Sequence, residues 1–402
     1  MTAFTRINTV RITLTSFLAY FVLSAIISPL GIVSQPIALH YGVSVSQATA
    51  IFSYFTTGIL LGSLMAVFIF DYLKIKWVVI LSALLVMASL CGAYAVDSFA
   101  LLPLFLFFSG LGCGVDLSSA AVVITRSYSE KLRPSMLLLT DSSYSGAASL
   151  STFLASMFVA SSHAWFSVYA LGVLAVALLL LLALLSTYPA RNVSVYQGDD
   201  NLKWPLSVYS CGAALLFYLL GMVVIYSWVP SYAQTVLGFN SEDAGNLVFQ
   251  LFSGMFVGQL VLFLLVLFLP IKLLIIACCV GAVGLSTLLW NSPSFDVSVI
   301  MFCLGLVSGG ILKVTIAHGT TLTRESSPKM VSYFLLNTSL GTAIAPALSS
   351  WIVDAMGLTK VMMFATLCYA ATGFLLLLSF VMTRAIKHPL TDTSNVTDSV
   401  TE

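Results

Sequence analysis

Twelve long apolar runs constrain this chain more than any other feature. They fall near residues 12–34, 46–70, 77–96, 99–125, 135–160, 164–187, 206–232, 244–268, 271–290, 297–320, 329–352 and 360–383. Each is long enough to cross a bilayer as a helix, which takes about 20 residues. In hydrocarbon the backbone must satisfy its own hydrogen bonds, so only helices and closed barrels span. The runs are far longer than barrel strands and do not alternate apolar with polar positions. The expected fold is an all-α polytopic membrane protein with twelve transmembrane helices. Composition closes the soluble alternatives. Only 8% of the 402 residues are charged and 59% are apolar, against about a quarter charged in soluble domains. That excludes a cytosolic enzyme, a disordered chain, a fibre and a nucleic-acid binder. The first run is too long for a cleaved signal peptide and lacks a small-residue cleavage site.

Lys and Arg set the expected orientation. With the N-terminus inside, the inside segments hold 14 of the 16 Lys and Arg residues, from Arg6 and Arg11 to Arg384 and Lys387. Only Lys360 falls in an outside loop, and Lys313 lies within a run. Positive charge stays on the cytoplasmic side. Both termini are therefore expected in the cytoplasm, with the chain in a plasma (inner) membrane. The seven cysteines, Cys91, Cys113, Cys211, Cys278, Cys279, Cys303 and Cys368, sit in apolar runs without metal-ligand spacing. They read as small apolar residues, and no metal or cofactor is expected.

The chain also repeats itself. Gly42, Ala48, Gly58 and Gly62 fall on Gly238, Ala244, Gly254 and Gly258 at a constant offset of 196 residues. Gly110-Leu-Gly-Cys-Gly114 mirrors Gly305-Leu-Val-Ser-Gly309. Helix packing explains each glycine singly, but not their shared offset. A polar stretch at 188–205 divides the chain into six runs and six. The expected organisation is an N-terminal six-helix bundle (1–187), a cytoplasmic linker (188–205), a C-terminal six-helix bundle (206–387) and a disordered cytoplasmic tail (388–402).

Three further stretches carry a narrower likeness: Leu-Leu-Thr-Asp-Ser at 138–142, Ser-Trp-Val-Pro-Ser-Tyr-Ala at 227–233 and Ser-Pro-Lys-Met-Val at 327–331. Two six-span halves in parallel repeat are the plan of the major facilitator superfamily, which the chain resembles over nearly its full length. More narrowly it resembles the TsgA-like branch, related to fucose-permease-like sugar–proton symporters. The resemblance implies alternating access, with spans 1, 4, 7 and 10 lining a cavity between the halves. There are departures. The loop between spans 2 and 3 keeps only Asp71, Lys74 and Lys76 of the usual charged pattern, and span 1 holds no carboxylate. The symporters' two-carboxylate proton mechanism is therefore not carried over whole.

Ionisable groups inside a membrane are costly and point to function. Four stand out: Asp116 in span 4, Asp141 in span 5, and Lys313 and His318 in span 10. By helical rise, Asp116 and Lys313 each lie roughly 6–8 Å to the cytoplasmic side of the midplane. They are expected to form an ion pair across the cavity when that side is closed. Such a pair either merely neutralises two buried charges or works. In the working forms, Asp116 takes up a proton and releases Lys313, or Lys313 holds an anionic substrate in competition with Asp116. Asp141 is a gating candidate that pairs with His318 or Lys313, or bonds locally to Thr140 or Ser145. His318 is either a gating partner or a packing residue near a helix end.

Tyr20, Tyr218 and Asn337 are the cavity candidates among the aromatic and amide residues, with Tyr226, Gln250 and Gln259 also in spans. Rings and amides together suit a sugar or another neutral polar solute. Trp228 and Tyr232 are expected in the interfacial aromatic belt. Pro29 and Pro230 either bend spans 1 and 7 or mark helix ends. His40 and His163 read as surface residues, with no acid near them in sequence.

No phosphate-binding loop is present, which excludes ATP-driven transport within this chain. No Ser-His-Asp constellation suggests an enzyme. The leading expectation is a secondary active transporter of a small polar solute, working by alternating access and coupled to protons. It would need only the bilayer, its solute and protons as partners, and would act as a monomer. The alternatives are an efflux carrier for amphipathic compounds and a non-transporting membrane receptor or accessory protein.

Overall fold

A computed structural model of the chain describes residues 3–129, 132–161, 164–188, 204–266, 268–291, 296–322 and 328–387. Most of the 188–205 linker and the tail from 388 lie outside these residues. The described chain is helical throughout and contains no strand. Span 1 is α1 (Ala3–Ile27) with α2 (Leu30–Tyr41), and span 2 is α3 (Val45–Ala50) with α4 (Phe52–Tyr72). Spans 3, 4 and 5 are α5 (Ile75–Val96), α6 (Leu102–Ser127) and α7 (Arg133–Ala160). Span 6 is a 3₁₀ segment (Trp165–Tyr169) leading into α8 (Ala170–Leu185). Spans 7, 8 and 9 are α9 (Leu206–Thr235), α10 (Ser241–Leu265) and α11 (Ile271–Asn291). Span 10 is α12 (Val297–Ser308) with α13 (Ile311–Thr320); spans 11 and 12 are α14 (Pro328–Met356) and α15 (Leu358–Lys387). Ten of the twelve are long and apolar enough to cross a membrane by length and composition. Spans 5 and 11 complete the set; they are as long, at 28 and 29 residues, but less apolar along their length.

The repeat read from sequence is turn chemistry and crossing chemistry. Gly42 and Gly238 both take the left-handed conformation, at φ +68° and +76°, where a side chain would be strained. Two residues on, Ser44 and Asn240 cap the next helix by accepting from the backbone N–H groups of Gln47 and Asp243. Each half therefore turns from its first span into its second in the same way. The helix crossings repeat too. A Cβ on Gly58 would lie 2.3 Å from the Phe107 carbonyl, and one on Gly254 would lie 2.0 Å from that of Phe302. Gly62 meets Leu111 as Gly258 meets Leu306, at 2.2 and 2.1 Å. Only glycine lets these backbones touch.

Spans 1–6 and 7–12 form two bundles with matching neighbours. Span 4 packs on spans 2 and 3, and span 1 on spans 5 and 6; in the other half span 10 packs on 8 and 9, and span 7 on 11 and 12. The bundles meet where span 2 faces span 11, span 5 faces span 8, and α2 faces span 7. Span 1 breaks at Ser28-Pro29, as its proline allows, whereas span 7 runs unbroken through Pro230. Basic residues close off the C-terminal end of span 6. Lys76 donates to the Leu184 and Ser186 carbonyls at 2.8 and 3.0 Å, and Arg11 to that of Leu185 at 3.2 Å. These are the carbonyls a helix end leaves unsatisfied, where positive charge is favourable. All seven cysteines are free thiols.

Candidate functional site

A cavity of about 210 Å³ lies between the two bundles, walled by spans 1, 2, 4, 5, 7, 8, 10 and 11. The side of the cavity toward the span 1–2 and 7–8 turns is tightly packed. A Cβ on Gly31 of α2 would lie 2.2 Å from the Tyr226 carbonyl and 2.7 Å from that of Ser227. Ser156 of span 5 donates to Asn246 Oδ1 of span 8 at 2.9 Å, and Phe153 meets the Phe249 ring at 5.4 Å. Behind this contact, within the C-terminal bundle, Trp228 Nε1 of span 7 donates to Ser349 Oγ of span 11 at 2.8 Å. Among the described residues this cross-bundle packing involves α2 and spans 2, 5, 7, 8 and 11, rather than α1. Trp228 and Tyr232 are consequently buried, not displayed in a lipid-facing belt. The Trp228 ring is held against span 11 through Ser349, so protein rather than lipid covers it.

The cavity wall carries several hydroxyls, one amide and one cation. Tyr20, Tyr218 and Lys313, three of the expected residues, line it. Tyr218 is also structural: its hydroxyl donates to the Ser308 carbonyl at 2.7 Å. Ser308 ends α12, and Gly309-Gly310 interrupt span 10 before α13 begins. Tyr218 thus satisfies a carbonyl beside the break, and Lys313 follows on the next turn. Gln259 of span 8 bridges the bundles by donating from Nε2 to Ser145 Oγ of span 5 at 3.0 Å. Its other amide atom, Oε1, is buried at the cavity without a hydrogen-bond partner.

Asp116 and Lys313, expected to pair when the cytoplasmic side is closed, are apart in this structure, whose packed side is that of the span 1–2 and 7–8 turns. Asp116 is 4% exposed and accepts a hydrogen bond from Ser82 Oγ of span 3 at 2.5 Å. The cavity wall at its level is the next residue, Leu117. The His40–Asp97 ion pair is remote from this cavity. The crossing glycines supply the reason. In spans 4 and 10, Phe107 and Leu111 correspond to Phe302 and Leu306, an offset of 195 residues. At that offset Asp116 corresponds to the buried Ile311, and Lys313 to Ser118. Equal depth did not mean an equal face, because successive residues turn by about 100° around a helix.

Asn337 does not line the cavity; it donates to the Tyr333 carbonyl of its own helix at 2.8 Å. The neighbouring Thr338 lines the cavity instead, with Thr342 one turn on. His318 faces away from the bundle interface. Its ring packs edge-on to Phe380 of span 12 at 4.7 Å, and Lys272 of span 9 lies over that same ring at 5.5 Å. It is therefore a packing residue of the C-terminal bundle. The side chain of Asp141 lies outside the described residues, as does His163. Tyr144, Tyr226 and Gln259 line the cavity as well. A polar amide in an otherwise apolar span was the signal for Gln259.

His40 is not isolated. Its Nε2 lies 2.9 Å from Asp97 Oδ1, and the Tyr41 hydroxyl donates to the same oxygen at 2.8 Å. Asp97 sits in the span 3–4 turn at φ +42°, so the cluster ties the end of span 1 to that turn. Hydrogen bonds from His40 first, and then Tyr41, hold the Asp97 carboxyl below its usual range.

Residues 12–329 match the family model for the Major Facilitator Superfamily. A TsgA homologue of Erwinia tasmaniensis is 30% identical over 385 residues, covering 93% of this chain and 96% of that protein. The fold is similar to that of a bacterial homologue of the human lysosomal transporter Spinster, solved inward-facing and unoccupied. The TM-score is 0.69 at 16% identity, covering 96% and 98% of the two chains. It is similar too to the Escherichia coli fucose:proton symporter, with a TM-score of 0.63 at 18% identity over 92% and 98%. A turn, a set of glycine crossings and a neighbour plan that all recur in two bundles agree with these matches: the chain belongs to the major facilitator superfamily.

Proposed function

We propose that this transporter is a secondary active carrier of a small, neutral polar solute, working by alternating access and coupled to protons. Gln259 carries this reading. Its Nε2 is held by Ser145 across the bundle interface, which leaves Oε1, buried in the cavity wall, without a donor. A solute hydroxyl would supply the missing donor, since a buried acceptor without one is costly. Tyr20, Tyr144 and Tyr226 offer faces for the apolar side of such a solute. The cavity volume of about 210 Å³ is some seven waters' worth at about 30 Å³ each. Pockets for drug-sized ligands run to roughly 300–1,000 Å³, so the size favours a small polar solute over broad amphipathic efflux. Similarity to a fucose:proton symporter points the same way.

For coupling, the proposed proton site is Asp116. Among the described residues it is the one carboxyl in the interior of a span, directly behind Leu117 of the wall. Gain or loss of its proton would alter the span 3–4 contact through Ser82 and so the seating of Leu117. A second reading, favoured by Lys313 in the same wall, places an acidic group of the substrate there. The Lys and Arg bias supports both termini in the cytoplasm, with the tight side of the cavity outward.

The test is purified protein in liposomes loaded with a pH-sensitive dye, challenged with neutral sugars and small organic anions. Substrate-dependent proton movement, lost in Asp116→Asn while radiolabelled exchange survives, is the expected result. If Asp116→Asn still accumulates substrate against its gradient, the coupling acid lies elsewhere. If no member of the panel moves protons or radiolabel, the small-solute reading fails.

A further inference from the structure

A second cavity, larger than the one between the bundles, lies elsewhere. It lies within the N-terminal bundle, at the outer ends of spans 3, 4 and 6, and its volume is about 650 Å³. Its walls are almost wholly apolar side chains. Two polar atoms break that pattern. Trp165 Nε1 and the Tyr169 hydroxyl are buried in the wall without a hydrogen-bond partner, in side chains 6% and 8% exposed. Buried Trp N–H and Tyr O–H groups normally find an acceptor, and leaving one without an acceptor costs free energy. Two unsatisfied donors in one apolar chamber define what would complement it: a long apolar body bearing an acceptor oxygen at one end.

The way in is lateral. Tyr94 of span 3 and Leu174 of span 6 are 60% and 68% exposed, and Cys91 is exposed between them. These are side chains on helices that cross the bilayer, so their exposed surface meets lipid rather than water. The level of the donors is also informative. Trp165 opens span 6 at its outer end, while Leu174 lies nine residues deeper, about 15 Å at roughly 2.0 Å per residue in the 3₁₀ segment and 1.5 Å in α8. The donors therefore sit at the interfacial depth and the apolar walls run inward from them.

We infer that this chamber is a binding site for a membrane phospholipid, taken up sideways between spans 3 and 6. One acyl chain lies along the apolar walls, and the ester carbonyl of that chain accepts from Trp165 Nε1 and the Tyr169 hydroxyl. The chamber is distinct from the cavity of the proposed transport reaction and does not depend on it. Ile26 and Ile37, on either side of the span 1 break at Pro29, line it as well. A bound chain would thus brace the bent outer half of span 1.

The test compares a diester phosphatidylethanolamine with its diether analogue, which has the same chains but no ester carbonyls. Both are titrated onto delipidated full-length protein and bound copies are counted by native mass spectrometry. The diester should bind the parent about five-fold more tightly than the diether, as expected for a hydrogen bond of about 1 kcal/mol. Tyr169→Phe keeps the ring and removes one donor, so it should shrink that ratio; Trp165→Phe with Tyr169→Phe should bring it to one. Leu174→Trp, which fills the mouth, should remove the high-affinity copy for both lipids. If diester and diether bind the parent equally, or if the ratio survives in the double variant, the assignment is overturned. Because each variant serves as its own reference, a loss of stability alone does not mimic the result.

Discussion

Gly31→Ala should shift the carrier away from the outer-closed state. The added Cβ would lie 2.2 Å from the Tyr226 carbonyl, where ordinary contact begins at 3.4 Å. Both neighbours are backbone, so α2 and span 7 must part by about 1 Å. Overpacking of this kind costs about 1–3 kcal/mol. The contact joins the two bundles at the outer side and is released when that side opens. The cost therefore falls on the closed state alone, and the closed-to-open ratio should drop roughly 5- to 150-fold. Gly58→Ala is the control. Its Cβ would meet the Phe107 carbonyl at 2.3 Å, an equally severe clash, but within one bundle. It should destabilise both states together and leave their ratio unchanged. Spectroscopic labels at Leu39 and Val236, exposed at the outer ends of spans 1 and 7, would read the separation of the bundles. A longer distance population in Gly31→Ala and none in Gly58→Ala is the expected pattern. An unchanged distribution in Gly31→Ala would refute the assignment of this crossing as the outer gate.

Two other substitutions test the remaining contacts. Tyr218→Phe leaves the Ser308 carbonyl beside the span 10 break without its hydroxyl donor; a loss of about 1–3 kcal/mol is expected, read by denaturation of the purified protein. Asp97→Asn probes the outer cluster. The carboxyl is held below its ordinary value of 3.8 by His40 and then Tyr41, so its contribution is present above that value and is lost as the pH falls through the lowered one. The melting temperature of the parent should exceed that of Asp97→Asn at about pH 5, and the gap should close well below pH 4. A gap that widens on acidification would contradict the sign.

Much of the architecture was legible because it is local. Run length marks the spans, and Gly42 with Ser44, like Gly238 with Asn240, writes a left-handed turn and a helix cap into four residues. The repeated glycines named the helix crossings, since no other residue permits backbone contact there. Lys313, Tyr20 and Tyr218 were legible at the site because polar groups in apolar spans need a reason to be there. Asn337 and Asp116 were misplaced by one residue each: Thr338 and Leu117 hold the wall positions beside them. His40 gained a partner 57 residues away that spacing along the chain could not suggest.

The sequence alone determined that the chain is a helical membrane protein built as a doubled six-span unit, because hydrocarbon forces helices and turn chemistry is local. Only the tertiary structure decided which way each helix faces. In a soluble protein the polar face would have shown it. Here lipid and protein interior are equally apolar, so a span such as α6 carries no polar stripe to orient it. The rotation is set instead by glycine crossings and single hydrogen bonds, and a step of about 100° separates a carboxyl in the cavity from one behind its wall.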